Sequence, residues 1–120
     1  MTVRPLIASA TALTATVGIV AALAVSGSQA ATTKIVKVED FQFSPAKLTI
    51  KRNTTVKFVW KGKAEHDVSL LRKPRGVRMS PVISDAMARG SATQKFRTKG
   101  TYRIDCSIHA NAMKLTVVVK

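Results

Sequence analysis

From Lys34 onward, apolar and polar residues alternate in short runs with a period of two. Ile35, Val36 and Val38 form a β-prone run that stops at Glu39 and Asp40. Phe41 and Phe43 follow at alternate positions before a turn at Ser44 and Pro45. Leu48 and Ile50 alternate with Thr49 and Lys51, and Asn53, which tolerates a left-handed backbone, marks the next turn. Val56, Phe58 and Trp60 share one side of a strand closed by Gly62, and His66, Val68 and Leu70 share one side of the next. Two final strands are expected over Thr101–Cys106 and Met113–Val119. The stretch 72–90 holds Pro74, Gly76, Pro81 and Gly90. It reads as a long irregular connection with a short helical turn near Ile83–Ala88. About seven short strands with turn signals between them predict an all-β fold, an antiparallel β-sandwich.

Residues 1–30 follow another pattern. Arg4 precedes an apolar stretch from Leu6 to Val25, and Ser26, Gly27, Ser28, Gln29 and Ala30 follow. A basic start, an apolar middle and small residues at Ser28 and Ala30 describe a secretory signal cut after Ala30. The competing reading is a retained anchor, because the stretch is about long enough to span a bilayer. Its interruption by Thr11, Thr14, Thr16 and Gly18 favours removal. The expected organisation is therefore a signal peptide, 1–30, and one domain, 31–120, exported to the periplasm, the cell envelope or the exterior. No cysteine stands at the cleavage point, which excludes a lipoprotein anchor.

Export changes the meaning of the charge. The chain has 20 Lys and Arg against 6 Asp and Glu; Arg4 is the only charged residue of 1–30, so 31–120 keeps a net charge of +13 on 90 residues. In the cytosol such a balance would suggest nucleic acid. Outside the membrane the counterparts are an acidic partner protein, anionic lipid heads or cell-wall polyanions, and no nucleic-acid partner is expected. The basic residues are scattered, many at alternate strand positions, as solvated residues are. A single domain of this size leaves little room for a deep substrate cleft, and the domain is expected to be monomeric. One cysteine precludes an internal disulfide, and two histidines cannot build a multinuclear imidazole cluster.

Those few residues are nevertheless placed to meet. The segment Cys106-Ser107-Ile108-His109-Ala110-Asn111-Ala112-Met113 spells Cys-x2-His-x3-Met across a tight loop between the last two strands. Tyr102, Ile104 and Cys106 share a face, so the sulfur points inward if Tyr102 and Ile104 do. Met113 shares a face with Leu115, Val117 and Val119, and the loop can turn His109 back toward the sulfur. His66, by its parity with Val68 and Leu70, faces the same interior. A thiolate and two neutral imidazoles with a weak thioether form the trigonal set that suits copper in electron transfer. Zinc is the alternative, but it wants a fourth strong donor. Met113 is a poor one, and the parity of Asp67 points away from His66. Met79 and Met87 are rival axial or auxiliary donors. Taken singly, each residue also has a plain structural explanation, as a buried thiol, a hydrogen-bonded core imidazole or core packing.

These features resemble the cupredoxins, the blue copper family of plastocyanin, amicyanin and pseudoazurin. The resemblance runs over nearly all of 34–119. It rests on Phe43-Ser44-Pro45 with Leu48 and Ile50, the Val56–Trp60 strand, His66-Asp67-Val68, Gly100-Thr101-Tyr102, and the Cys106/His109/Met113 loop before a Val-rich last strand. It implies a Greek-key sandwich and one mononuclear type 1 copper held by His66, Cys106, His109 and Met113. It also implies one-electron shuttling between larger redox proteins rather than enzymatic turnover. The chain departs from the family at Asp67, where Asn often ties the two ligand loops together, and at Ile108, where Pro is common. It departs again at Lys114 and Asn53, where Gly is frequent. Lys61, Lys63, Arg72 and Lys114 are expected to surround His109 and steer acidic partners. An exported copper-handling module, which delivers or sequesters the ion, would use the same ligands, with Met79 and Met87 helping to capture Cu(I).

Overall fold

The computed structural model describes residues 32–120; the signal-peptide reading of 1–30 lies outside the described residues. Among the described residues nine strands follow one another: β1 (Thr33–Glu39), β2 (Gln42–Ser44), β3 (Lys47–Ile50), β4 (Thr54–Trp60), β5 (His66–Arg72), β6 (Val82–Met87), β7 (Ser91–Phe96), β8 (Gly100–Asp105) and β9 (Lys114–Val119). They form two sheets, ordered β2-β1-β4-β7 and β3-β9-β8-β5-β6. The expected two-sheet sandwich is what the chain forms. Two pairings within it, β1 with β4 and β3 with β9, are parallel.

Alternation dictates the core. In β4 the buried positions are Thr54, Val56, Phe58 and Trp60, while Lys57 faces out. The opposite sheet answers with Tyr102 and Ile104 from β8 and Leu115, Val117 and Val119 from β9. Phe43 meets Phe58 edge-on with ring centroids 6.4 Å apart, and Phe96 meets Tyr102 at 5.0 Å, an arrangement that suits the aromatic quadrupoles. Tyr102 is fully buried, and its hydroxyl donates to the Thr98 carbonyl at 2.7 Å, closing the corner that leads into β8. Burial raises the Tyr102 phenol above its ordinary pKa, against the opposing effect of that hydrogen bond.

The region read as irregular contains a strand. Residues 83–87, expected to turn helically, lie in β6, and 91–96 form β7. β6 is an edge strand whose pairing with β5 is interrupted by register shifts on either side of Val68. Such bulged edges show little hydrophobic alternation. A further irregularity between Leu70 and Arg72 turns Leu71 and Arg72 both outward.

Candidate metal centre

β5 and β8 run side by side, and their ligand-bearing ends meet at one end of the sandwich. His66 is the first residue of β5, Cys106 the first residue past β8, and both are fully buried. Ser107–His109 then forms a single 3-10 turn, in which the His109 amide donates to the Cys106 carbonyl at 3.1 Å. The Met113 amide donates back to the His109 carbonyl at 3.0 Å, and the Cys106 amide to the Met113 carbonyl at 3.2 Å. The loop thus closes on itself, leaving Met113 buried at the start of β9.

His66 and Cys106 face inward as their strand parity predicts, and the loop turns His109 back toward the sulfur. The Cys106 sulfur lies 3.9 Å from His66 Nδ1 and 3.6 Å from His109 Nδ1, and the three potential ligand atoms all lie within 4.8 Å of one another. An ion at ordinary bond lengths, about 2.0–2.1 Å to nitrogen and about 2.3 Å to sulfur, subtends such N···S separations at angles of roughly 110–130°. Among the described residues no carboxylate joins the cluster to complete a tetrahedron of strong donors. A soft thiolate and two imidazoles, with Met113 buried where the same loop closes, therefore fit copper better than structural zinc.

Asp67 points away from the donors, as its parity requires, and that direction gives it work. One carboxylate oxygen accepts the Ser107 amide at 2.7 Å, and the other accepts the Ser107 hydroxyl. The turn has no side-chain cap of its own at Cys106. A carboxylate from β5 thus takes one of the N–H groups that a helical turn leaves without a partner, and it ties the two ligand segments together. Trp60 supports the other side: its indole Nε1–H donates to the His66 carbonyl at 2.9 Å.

Two contributors were invisible in the sequence pattern, and both come from the turn between β1 and β2. Asp40 accepts at 2.8 Å from His66 Nε2, the nitrogen turned away from the sulfur. The Lys63 and Ala64 amides also donate to it, at 2.8 and 2.9 Å. The Lys63 amide, then His66 and the Ala64 amide, lower the Asp40 carboxyl to about 2. Phe41, spaced like a strand partner of buried Phe43, is instead half-exposed at φ 95°. A left-handed backbone costs a residue with a Cβ about 1–2 kcal/mol. It places the ring edge-on against both imidazoles, at 5.9 Å from His66 and 4.9 Å from His109. No local signal marks either residue, because their roles arise only when the turn folds over β5.

The other expected groups sort by position. Lys61 and Lys63 are exposed in the segment leading into His66, and Lys114 is exposed beside Met113. Arg72 is at the far end of β5, about 20 Å from His66 at the rise of a strand, so it does not border the centre. Met87 stands opposite His66 in the β5–β6 pairing. Met79 packs instead near Leu70, Arg72 and Pro81, toward the other end.

Residues 30–120 match the family described as copper binding proteins, plastocyanin/azurin family. Among curated protein sequences none gives a significant match. Among solved structures, the oxidized plastocyanin from Dryopteris crassirhizoma is 27% identical, with a TM-score of 0.61 over 72% of this chain and 99% of that one. The pseudoazurin from Methylobacterium extorquens AM1 is 25% identical, with a TM-score of 0.63 over 72% of this chain and 74% of its own. An oxidized point mutant of amicyanin, at 22% identity, shares the fold with a TM-score of 0.62 over 73% and 82% of the two chains. Small cupredoxins of this kind pass electrons to and from redox partner proteins. The chain belongs to the plastocyanin/azurin family of copper-binding proteins: it is a cupredoxin with a type 1 copper site, of a family of small electron carriers that are not enzymes.

Proposed function

We propose that this protein carries single electrons between larger redox proteins outside the cytoplasmic membrane, and that His66, Cys106, His109 and Met113 are the ligands of its one copper ion. The observation that carries this reading is a fully buried thiol facing the Nδ1 atoms of two imidazoles, one sealed in the core and one at the surface. When bound there, copper supplies a one-electron couple between Cu(I) and Cu(II), which this donor set accommodates in both states.

The chain's residues supply the rest. The closed Cys106–Met113 loop and the Asp67 strap hold the donors in place. Ile108 and Phe41 are half-exposed beside His109, and Ala110, Asn111 and Ala112 are small and uncharged. A partner can therefore approach the His109 ring edge closely. Among the described residues no lysine or arginine lies within 4.0 Å of a carboxylate oxygen, so Lys61, Lys63 and Lys114 are not held in close ion pairs. Lys61, Lys63 and Lys114 would steer an acidic partner toward this end, and the protein works as a monomer that associates only loosely with anionic surfaces.

Stopped-flow electron transfer from an acidic redox donor tests the reading. The rate should fall steeply as ionic strength rises; a flat profile removes the steering. Copper that stays bound through repeated oxidation and reduction supports a carrier. Copper that passes readily to an acceptor would favour delivery or sequestration instead.

A further inference from the structure

We infer that Asp40 is a positioning residue of the metal centre: it fixes the tautomer of His66 and biases the centre toward the oxidised metal. The inference rests on the copper reading of this site and adds a residue to it. A neutral imidazole has one N–H and one lone pair. The carboxylate 2.8 Å from Nε2 can only accept, so the proton sits on Nε2 and the lone pair on Nδ1, the atom 3.9 Å from the Cys106 sulfur. His66 thus presents a donor to the metal position before any ion arrives.

Asp40 is itself held in a built cradle. The Lys63 amide donates to one of its oxygens and the Ala64 amide to the other. Gly62 makes room for it: a Cβ at 62 would fall 2.6 Å from Asp40 Cγ and 2.7 Å from the Asp40 amide nitrogen. The segment that leads into His66 therefore wraps the carboxylate that orients His66. The two imidazoles differ in this respect. Among the described residues, His109 has no carboxylate partner, and its ring rests against Phe41 at the surface.

A carboxylate hydrogen-bonded to the far nitrogen makes the ligating nitrogen more basic. Its negative charge then favours the more positive metal state, so removing it should weaken Cu(II) binding more than Cu(I) binding. Loss of such a partner ordinarily costs about 10–100-fold in metal affinity.

The test uses Asp40→Asn, which keeps shape and an acceptor but removes the charge, and Asp40→Ala, which removes both. Two-bond 15N–1H spectra of the metal-free protein report the His66 tautomer. The wild type and Asp40→Asn should show a single Nε2–H form, and Asp40→Ala a mixture. Voltammetry of the copper-loaded protein should place Asp40→Asn above the wild type, by about 59 mV for each tenfold change in the Cu(II)/Cu(I) affinity ratio. An unchanged tautomer in Asp40→Ala, or equal potentials for Asp40→Asn and wild type, overturns the inference. Absence of intense thiolate-to-copper absorption in the wild type would instead sink the copper reading, and the metal-free spectra would still decide the tautomer.

Discussion

The Asp67 strap offers the sharpest test of how the two ligand segments are joined. Asp67→Ala removes a carboxylate that accepts both the amide and the hydroxyl of Ser107. Hydrogen bonds to a charged group each contribute about 1.5–3 kcal/mol. Ser107 is exposed, so water can replace part of what is lost, and the expected cost is about 2 kcal/mol. In a domain of this size each kcal/mol moves the melting temperature by about 4–8 °C, so the midpoint should drop by about 8–16 °C. Ser107→Ala removes only the hydroxyl bond and should cost about 1 kcal/mol. The double variant should then be more stable than the sum of the two losses implies, by about 1 kcal/mol of coupling. The assays are thermal melting and urea unfolding of the metal-free proteins, because a bound ion would add its own stabilisation to the native state. An Asp67→Ala midpoint indistinguishable from wild type, or additive losses in the cycle, would refute the strap.

Two further substitutions probe the supports around it. Trp60→Phe leaves the buried His66 carbonyl without the indole donor, and should cost about 2–3 kcal/mol in urea unfolding while also weakening copper affinity; a change confined to stability would show that the bond does not position the ligand. Tyr102→Phe should cost about 1 kcal/mol through the lost bond to Thr98. The phenol itself should ionise above its ordinary value of 10.0 when followed by ultraviolet absorbance. Because its pKa is raised in the folded state, its contribution to stability is complete below the unfolded value and is lost as pH rises through the folded one. Alkaline unfolding should accordingly be milder in Tyr102→Phe.

The centre was legible in the sequence wherever strand parity controls direction. His66, Cys106 and Met113 adjoin or begin regular strands, so their inward facing follows from Val68, Ile104 and Leu115, all buried. Parity also sent Asp67 away from the donors, which is what lets it reach Ser107. Residues in turns escape that logic. Asp40 and Phe41 act on His66 through contacts 26 and 25 positions distant in the chain, and Phe41 leaves the alternation because its φ is positive. β6 lacks a sequence signal for a related reason. It is bulged and at a sheet edge, so pairing with β5 rather than its own hydrophobic pattern makes it a strand. Arg72 lies at the far end of β5 rather than beside His109, because a scatter of charges carries no information about which end of a strand a residue occupies.

Everything proposed for this protein depends on one sulfur and two imidazole nitrogens binding a single copper ion. The deciding experiment is a Cu(II) titration followed by visible absorption, with Cys106→Ser as the comparison. Intense thiolate-to-copper charge transfer should saturate at one equivalent in the wild type and vanish in Cys106→Ser. Identical spectra from the two proteins would contradict the assignment.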